Sequence, residues 1–353
     1  MKRNLFMAAF MTVVLVLGVC TSGSWAADTI NAYMGFSREV NEALAGRIQE
    51  KTGIEVKNIT LSWGEIWARL KTEYPRFNAD MVLSFGAAEA INGSEQGYYE
   101  AYQSPAWEDI DDTFKSKDGT YYALGTFSFL LLGNKQKLAE KGYEMPKSWK
   151  DLLDPKWKGQ IVVPSPRTSG TAFMIDYSFL QLYGEKDGWK FLQDLDKNIA
   201  FYTKSGNAPT DLVGRGEYLL GIGADENVLK RIKDGYPLVW TIPKEGIGYE
   251  GNYCTILKGT QKLDLCKKVM DYLGSDDASQ FLGSMGYIPP RPGIPSALYG
   301  TTTPNFIKLD HAWAVKNKKK IVMDWKSKFM MKETVEAKEV GDKKEAEAAK
   351  KTE

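Results

Sequence analysis

Short apolar runs alternate with amphipathic helical stretches along most of this chain, and that alternation limits its fold more than any other feature. Thr29-Ile30-Asn31-Ala32-Tyr33 reads as a strand, Gly35-Phe36-Ser37 as a turn, and residues 39–52 as a helix with Val40, Leu44 and Ile48 at helical spacing. Thr52-Gly53 stops that helix and Ile54-Glu55-Val56 restarts a strand. Residues 63–74 read as a second helix and 80–84 as a third strand. Further on, 121–134, 159–164, 218–223 and 253–257 read as strands, with helices over 149–153, 172–183, 189–195, 265–273 and 278–285. Strands separated by helices predict parallel sheet covered on both faces. The 353 residues are about twice a typical domain, so two α/β lobes are expected. The first spans 27–124 and 256–331, the second 125–255, with crossings near 125–133 and 241–257.

The two ends of the chain read differently from this body. Met1-Lys2-Arg3-Asn4 is basic, residues 5–19 are apolar, and Ser24-Trp25-Ala26 supplies small residues. That order is a secretory signal peptide over 1–26, with cleavage expected after Ala26. The apolar run is short for a membrane span, which needs about 20 residues. Lipid anchoring through Cys20 is the rival, but Val19 fits poorly where a small residue is usual. The mixed-charge tail over 332–353 has no aromatic residue and reads as disordered. Cys254 and Cys266 remain after export; sequence leaves open whether they pair or stay as buried thiols. A net charge of +1 gives no reason to expect nucleic acid or an anionic membrane as partner.

Ligands of open α/β sheets sit beyond the carboxyl ends of strands, so the candidate site lies in the cleft between the lobes. Within Arg167-Thr168-Ser169-Gly170-Thr171, Arg167, Ser169, Gly170 and Thr171 open a helix with backbone and side-chain donors that suit an anion. The same residues are equally an ordinary helix cap. Ser37 and Arg38 repeat the pattern after the first strand, and Ser84 follows the third. Asp225 and Glu226 suit an amine or sugar hydroxyls, or else form an acidic helix start. Tyr249 reads as cleft rim or as hinge packing. Trp63, Trp67 and Trp240 read as core.

Several segments resemble one family in order. They are Lys51-Thr52-Gly53-Ile54-Glu55-Val56, Ala79-Asp80-Met81-Val82, the run from Pro146-Lys147-Ser148-Trp149 to Trp157-Lys158-Gly159, Ser169-Gly170-Thr171-Ala172-Phe173, Pro243-Lys244-Glu245-Gly246 and Gly286-Tyr287-Ile288-Pro289-Pro290-Arg291. Together they are similar to the periplasmic solute-binding proteins of ABC importers, of the ferric-iron, phosphonate and sugar-phosphate type. The resemblance implies a periplasmic binding protein-like fold with mixed sheets, a monomer that closes on a small molecule, and delivery to an ABC permease. Within that frame the anion-site reading of residues 167–171 is favoured. Iron-binding relatives place adjacent tyrosines near residues 224–226, where this chain has Ala224, Asp225 and Glu226. The expected cargo is therefore a small anionic organic solute, a phosphonate or sugar phosphate. Iron held by non-tyrosine ligands is the alternative, as is a ligand sensor that presents itself to a membrane receptor. No Gly-x-Ser-x-Gly, phosphate loop or His-Glu metal motif occurs, and His311 is the only histidine. An enzyme, a cofactor and a resident metal are not expected.

Overall fold

The computed structural model describes residues 28–302 and 304–329. The expected signal peptide, Cys20 and the charged tail lie outside the described residues. Ten strands follow in order: β1 (Thr29–Met34), β2 (Glu55–Thr60), β3 (Met81–Phe85), β4 (Tyr99–Glu100), β5 (Tyr122–Asn134), β6 (Ile161–Pro164), β7 (Ile199–Thr203), β8 (Leu220–Ala224), β9 (Leu238–Thr241) and β10 (Tyr249–Leu257). The helices are α1 (Arg38–Thr52), α2 (Trp63–Glu73), α3 (Ala87–Glu95), α4 (Lys135–Lys141), α5 (Gly170–Tyr183), α6 (Glu185–Asp196), α7 (Ala208–Gly214), α8 (Asp225–Lys233), α9 (Leu263–Leu273) and α10 (Asp276–Ser284). Residues 311–329 form α11.

The α/β architecture expected from the alternation is present, and its sheets are mixed. In the first half β1 pairs in parallel with β2 and β3, while β10 runs antiparallel to β3. In the second half β6 pairs in parallel with β7 and β8. The halves are joined by β5. Its residues from Tyr122 to Ser128 ladder with β10, and those from Phe129 onward ladder with β8 and β9. One strand thus leaves one sheet at Ser128 and enters the other at Phe129.

Local chemistry explains the elements that flank the cleft. Ser37 caps α1 by accepting from the Val40 N–H, and Gly53 ends the helix in the left-handed conformation that glycine adopts without strain (φ 74°). The stripe Val40, Leu44 and Ile48 packs beneath Ile30, Ala32 and Met34 on one face of the first sheet. Tyr33, out of phase with those three, joins Ile66, Leu70 and Val82 on the opposite face, as strand alternation requires. The second half has its own core, built on Phe129 to Leu132, Ile161, Val162 and Ile222.

Packing past residue 290 departs from the expected lobe boundaries. α9 and α10 cover the first sheet through Cys266, Val269, Met270, Leu273 and Leu282. Ala314, Ile321, Trp325 and Phe329 of α11 join the second core instead. The reason is an aromatic seam: Trp325 meets Tyr202 edge-on at 4.8 Å, and Phe329 stacks on Trp189 at 6.4 Å.

Cys254 and Cys266 are free buried thiols, on β10 and on α9 behind it. Burial pushes both thiols up, away from reactive thiolate. For a chain that begins at residue 27, thiol titration in urea without reductant is expected to find both cysteines, and the native protein to show almost no reaction. A urea titre of zero would contradict the arrangement.

Candidate functional site

The carboxyl ends of β1, β3, β6, β7 and β8 all point into the space between the halves, and the starts of α1, α2, α3, α5, α7 and α8 surround it. Two connected chambers fill that space, of about 610 and 290 Å³. Trp63, Phe127 and Glu226 line both, so they form one cleft. The size suits a small solute. Its floor comes from β10 and from β5, the strand that ladders in both sheets. Glu250 and Asn252 lie two apart on β10 and face the cleft together, with Phe127 of β5 opposite Glu250.

Trp63 is built in. An added Cβ at Gly35 would stand 2.6 Å from the indole and 2.1 Å from the Ser84 carbonyl, and one at Gly86 would stand 2.8 Å from the indole. Only glycine fits at either position, so the indole is seated between the starts of α1 and α3. It tilts against Phe127 with ring centroids 6.1 Å apart. Trp63 is therefore a cleft residue, not the core residue expected. Its signal in the sequence was position, directly after Ser62 at a helix start, where the Ser62–Glu65 capping box fixes the turn.

The sequence-selected residues divide between cleft and frame. Ser37 caps α1 and also lines the outer chamber. Gly170 and Thr171 line the inner chamber, and Ser169 beside them accepts from the Ala172 N–H as the cap of α5. Glu226 lines both chambers. It is open to cleft water yet walled in by both halves, and that desolvation holds its carboxyl above the usual range.

Arg38 and Arg167 are exposed and line neither chamber. Asp225 is fully buried and not an acceptor for a cleft solute. Its carboxylate takes the Ser128 N–H and the Tyr299 hydroxyl, each at 3.0 Å, and the Glu226 N–H at 2.8 Å. It ties α8 to the crossing strand, and burial pushes it up to about 8. Tyr249 is packed away from the rim, among Phe114, Phe306 and His311. Ser84 is buried behind the wall and donates to Asn252. Asn227, within the expected segment 224–227 after a strand, lines the outer chamber, and Glu250, expected with Tyr249 at the cleft rim, lines the inner one. Sequence reading missed Asn252, because nothing local marks a mid-strand residue as cleft-facing.

Backbone N–H groups and helix dipoles at these helix starts favour negative charge in the cleft. Lys230 and Lys233 add cations to the outer chamber and Lys318 to the inner one. Glu250 already occupies the start of α3, accepting from the Ala87 and Gly251 N–H groups at 3.0 and 3.1 Å. His311 lines the inner chamber and meets the Tyr177 hydroxyl at 3.3 Å; burial lowers it to about 4, so it is neutral near pH 7. Among the described residues no three His, Cys, Asp or Glu side chains group as a metal shell.

Comparison with known proteins decides the family. Residues 78–311 match the bacterial extracellular solute-binding proteins. The chain belongs to that family. It is 30% identical over 292 residues to an uncharacterized protein of Haemophilus influenzae, covering 81% of this chain and 84% of that one. It is 26% identical over 310 residues to a probable ABC transporter periplasmic-binding protein of Sinorhizobium fredii, covering 82% of each. Among solved structures, the periplasmic binding protein AfuA from Actinobacillus pleuropneumoniae, with exogenous fructose-6-phosphate bound, superposes with a TM-score of 0.70 at 27% identity. That match covers 86% of this solute-binding protein and 99% of AfuA. The neighbours have two lobes, as the two cores here do.

Burial pushes Glu250 up to about 7. A carboxyl raised in the fold contributes stability that is complete below the ordinary carboxylate range and is lost as pH rises through about 7. Glu250→Gln keeps an oxygen for both N–H groups and cannot ionise. Its Tm relative to wild type is expected to rise between about pH 5 and about pH 8. Asp225 titrates in both proteins and cancels. A gap that stays constant with pH would contradict the placement of Glu250.

Proposed function

We propose that this solute-binding component of an ABC importer is exported to the periplasm, works as a monomer, and closes its cleft on a small anionic organic solute. Phosphonates and sugar phosphates are the class that fits. The observation that carries this reading is the convergence of helix starts on one cleft with an aromatic wall and lysines at both chambers. Ser37, Ser169, Gly170 and Thr171 offer donors to the anion, while Glu226 accepts from hydroxyls or an amine elsewhere on the solute. The AfuA relative, with fructose-6-phosphate bound, supports a sugar phosphate as the first solute to try.

Closure supplies the signal to the permease. The open cleft exposes β5 and β10 as its floor, and a solute that touches both walls favours the state in which they approach. These two strands are the hinge in this reading. The proposal requires no chemistry on the solute, only a difference in affinity between open and closed states.

Ser169→Ala combined with Thr171→Ala removes two hydroxyls from the start of α5 and leaves the backbone N–H groups in place. Isothermal titration with fructose 6-phosphate is expected to show affinity weakened at least tenfold, roughly the worth of one or two hydrogen bonds to a charged group. Unchanged affinity would remove α5 from the anion site.

A further inference from the structure

We infer that Asn252, held in place by Ser84, is the hydrogen-bond donor on the cleft floor that selects an oxygen acceptor on the solute. The inference rests on the organic-anion reading above and assigns it a specificity-determining residue.

Asn252 is 3% exposed, yet it lines the outer chamber beside Ser37, Trp63 and Phe127. Its Oδ1 accepts from the Ser84 hydroxyl at 2.9 Å, whereas its Nδ2 has no partner among the described residues. A buried amide donor without an acceptor is costly, and native folds rarely keep one without use. Here the missing acceptor is what a solute oxygen supplies. Glu250, the other polar floor residue, already receives two backbone N–H groups and has no proton to offer an anion when ionised.

The frame around Asn252 is built to fix that amide. Ser84 has φ 72°, and among the described residues no other non-glycine residue has positive φ. Side chains rarely adopt that conformation, and strain of this sort collects where a group must be aimed. The Ser84 carbonyl packs where only Gly35 leaves room, which locks the turn. Asn252 itself lies where β10 changes register: the ladder to β5 shifts between Asn252 and Tyr253, and the ladder to β3 shifts at the next residue pair. Bulges beside sites re-aim side chains. β10 lies beside β5, the strand shared by both sheets, so the floor donor meets the solute from between the two walls.

The test is titration of fructose 6-phosphate and methylphosphonate into four variants, with Tm measured for each. Asn252→Ala is expected to lose about tenfold in affinity. Asn252→Asp keeps an acceptor for Ser84 but replaces the donor with a like charge, so about a hundredfold loss is expected. Ser84→Gly suits the left-handed backbone while removing the hydroxyl; affinity falls about tenfold with no fall in Tm, a split that a purely structural serine would not give. In the Asn252→Ala background, Ser84→Gly adds no further loss, since its only route to the solute is gone. Wild-type affinity in Asn252→Asp, or a Ser84→Gly loss that persists without Asn252, would overturn the inference while the organic-anion reading stands. Failure of the wild-type protein to bind either probe would overturn both.

Discussion

The hydrogen-bond ladder through β5 and β10 is the constraint on which the rest of this molecule depends. β5 pairs with β10 in the first sheet and with β8 and β9 in the second, so neither half completes its sheet without it. A backbone N–H or C=O buried without a partner is expensive, and the crossing must therefore remain strand from one core to the other. Strand geometry then decides what the cleft floor presents. With side chains alternating between faces, Glu250 and Asn252 enter the cleft while Tyr249 and Tyr253 pack away from it. Asp225 extends the same logic sideways: its bond to the Ser128 N–H ties α8 to the crossing strand, so the second wall is registered to the floor.

The charge pattern of the cleft follows from this scaffold. Parallel strands deliver their helices with N-termini toward the gap, and each start contributes partial positive charge and open donors. Glu250 neutralises one of them, at α3, and burial makes it reluctant to ionise. Asp225 likewise takes the Glu226 N–H at the start of α8, which leaves the starts of α1 in the outer chamber and α5 in the inner one for a solute, with Lys230 and Lys233 on the outer chamber and Lys318 on the inner. Carboxylates at Glu226 and Glu250 make a solute that is anionic all round a poor fit. One with an anionic end and hydroxyl or amine groups elsewhere satisfies both sets of groups, which is the composition of sugar phosphates and aminoalkylphosphonates.

Most of the fold was legible because it rests on periodicity. The stripe of α1, its glycine stop and the long apolar β5 each carry their signal within one segment. α3 did not: Ala87 to Glu95 is rich in alanine, glycine and serine and shows no apolar stripe, since its burial comes from close approach to β10. The site was legible only at helix starts. Ser37, Gly170 and Thr171, singled out as helix-start residues, and Glu226, singled out because it follows a strand, all line the cleft. The same rule misplaced Asp225, whose neighbour turns to the cleft while it turns inward. Asn252 depends on which face of β10 turns to the cleft, and Trp63 on two distant glycines, so no local pattern announces them.

Native mass spectrometry of the protein purified from its host without denaturation tests the central claim most directly, because it reads whatever the cleft has kept. A bound organic species that releases phosphate or phosphonate on fragmentation is the expected result. A bound iron ion accompanied by a visible charge-transfer band, with no organic phosphate or phosphonate, would contradict the account.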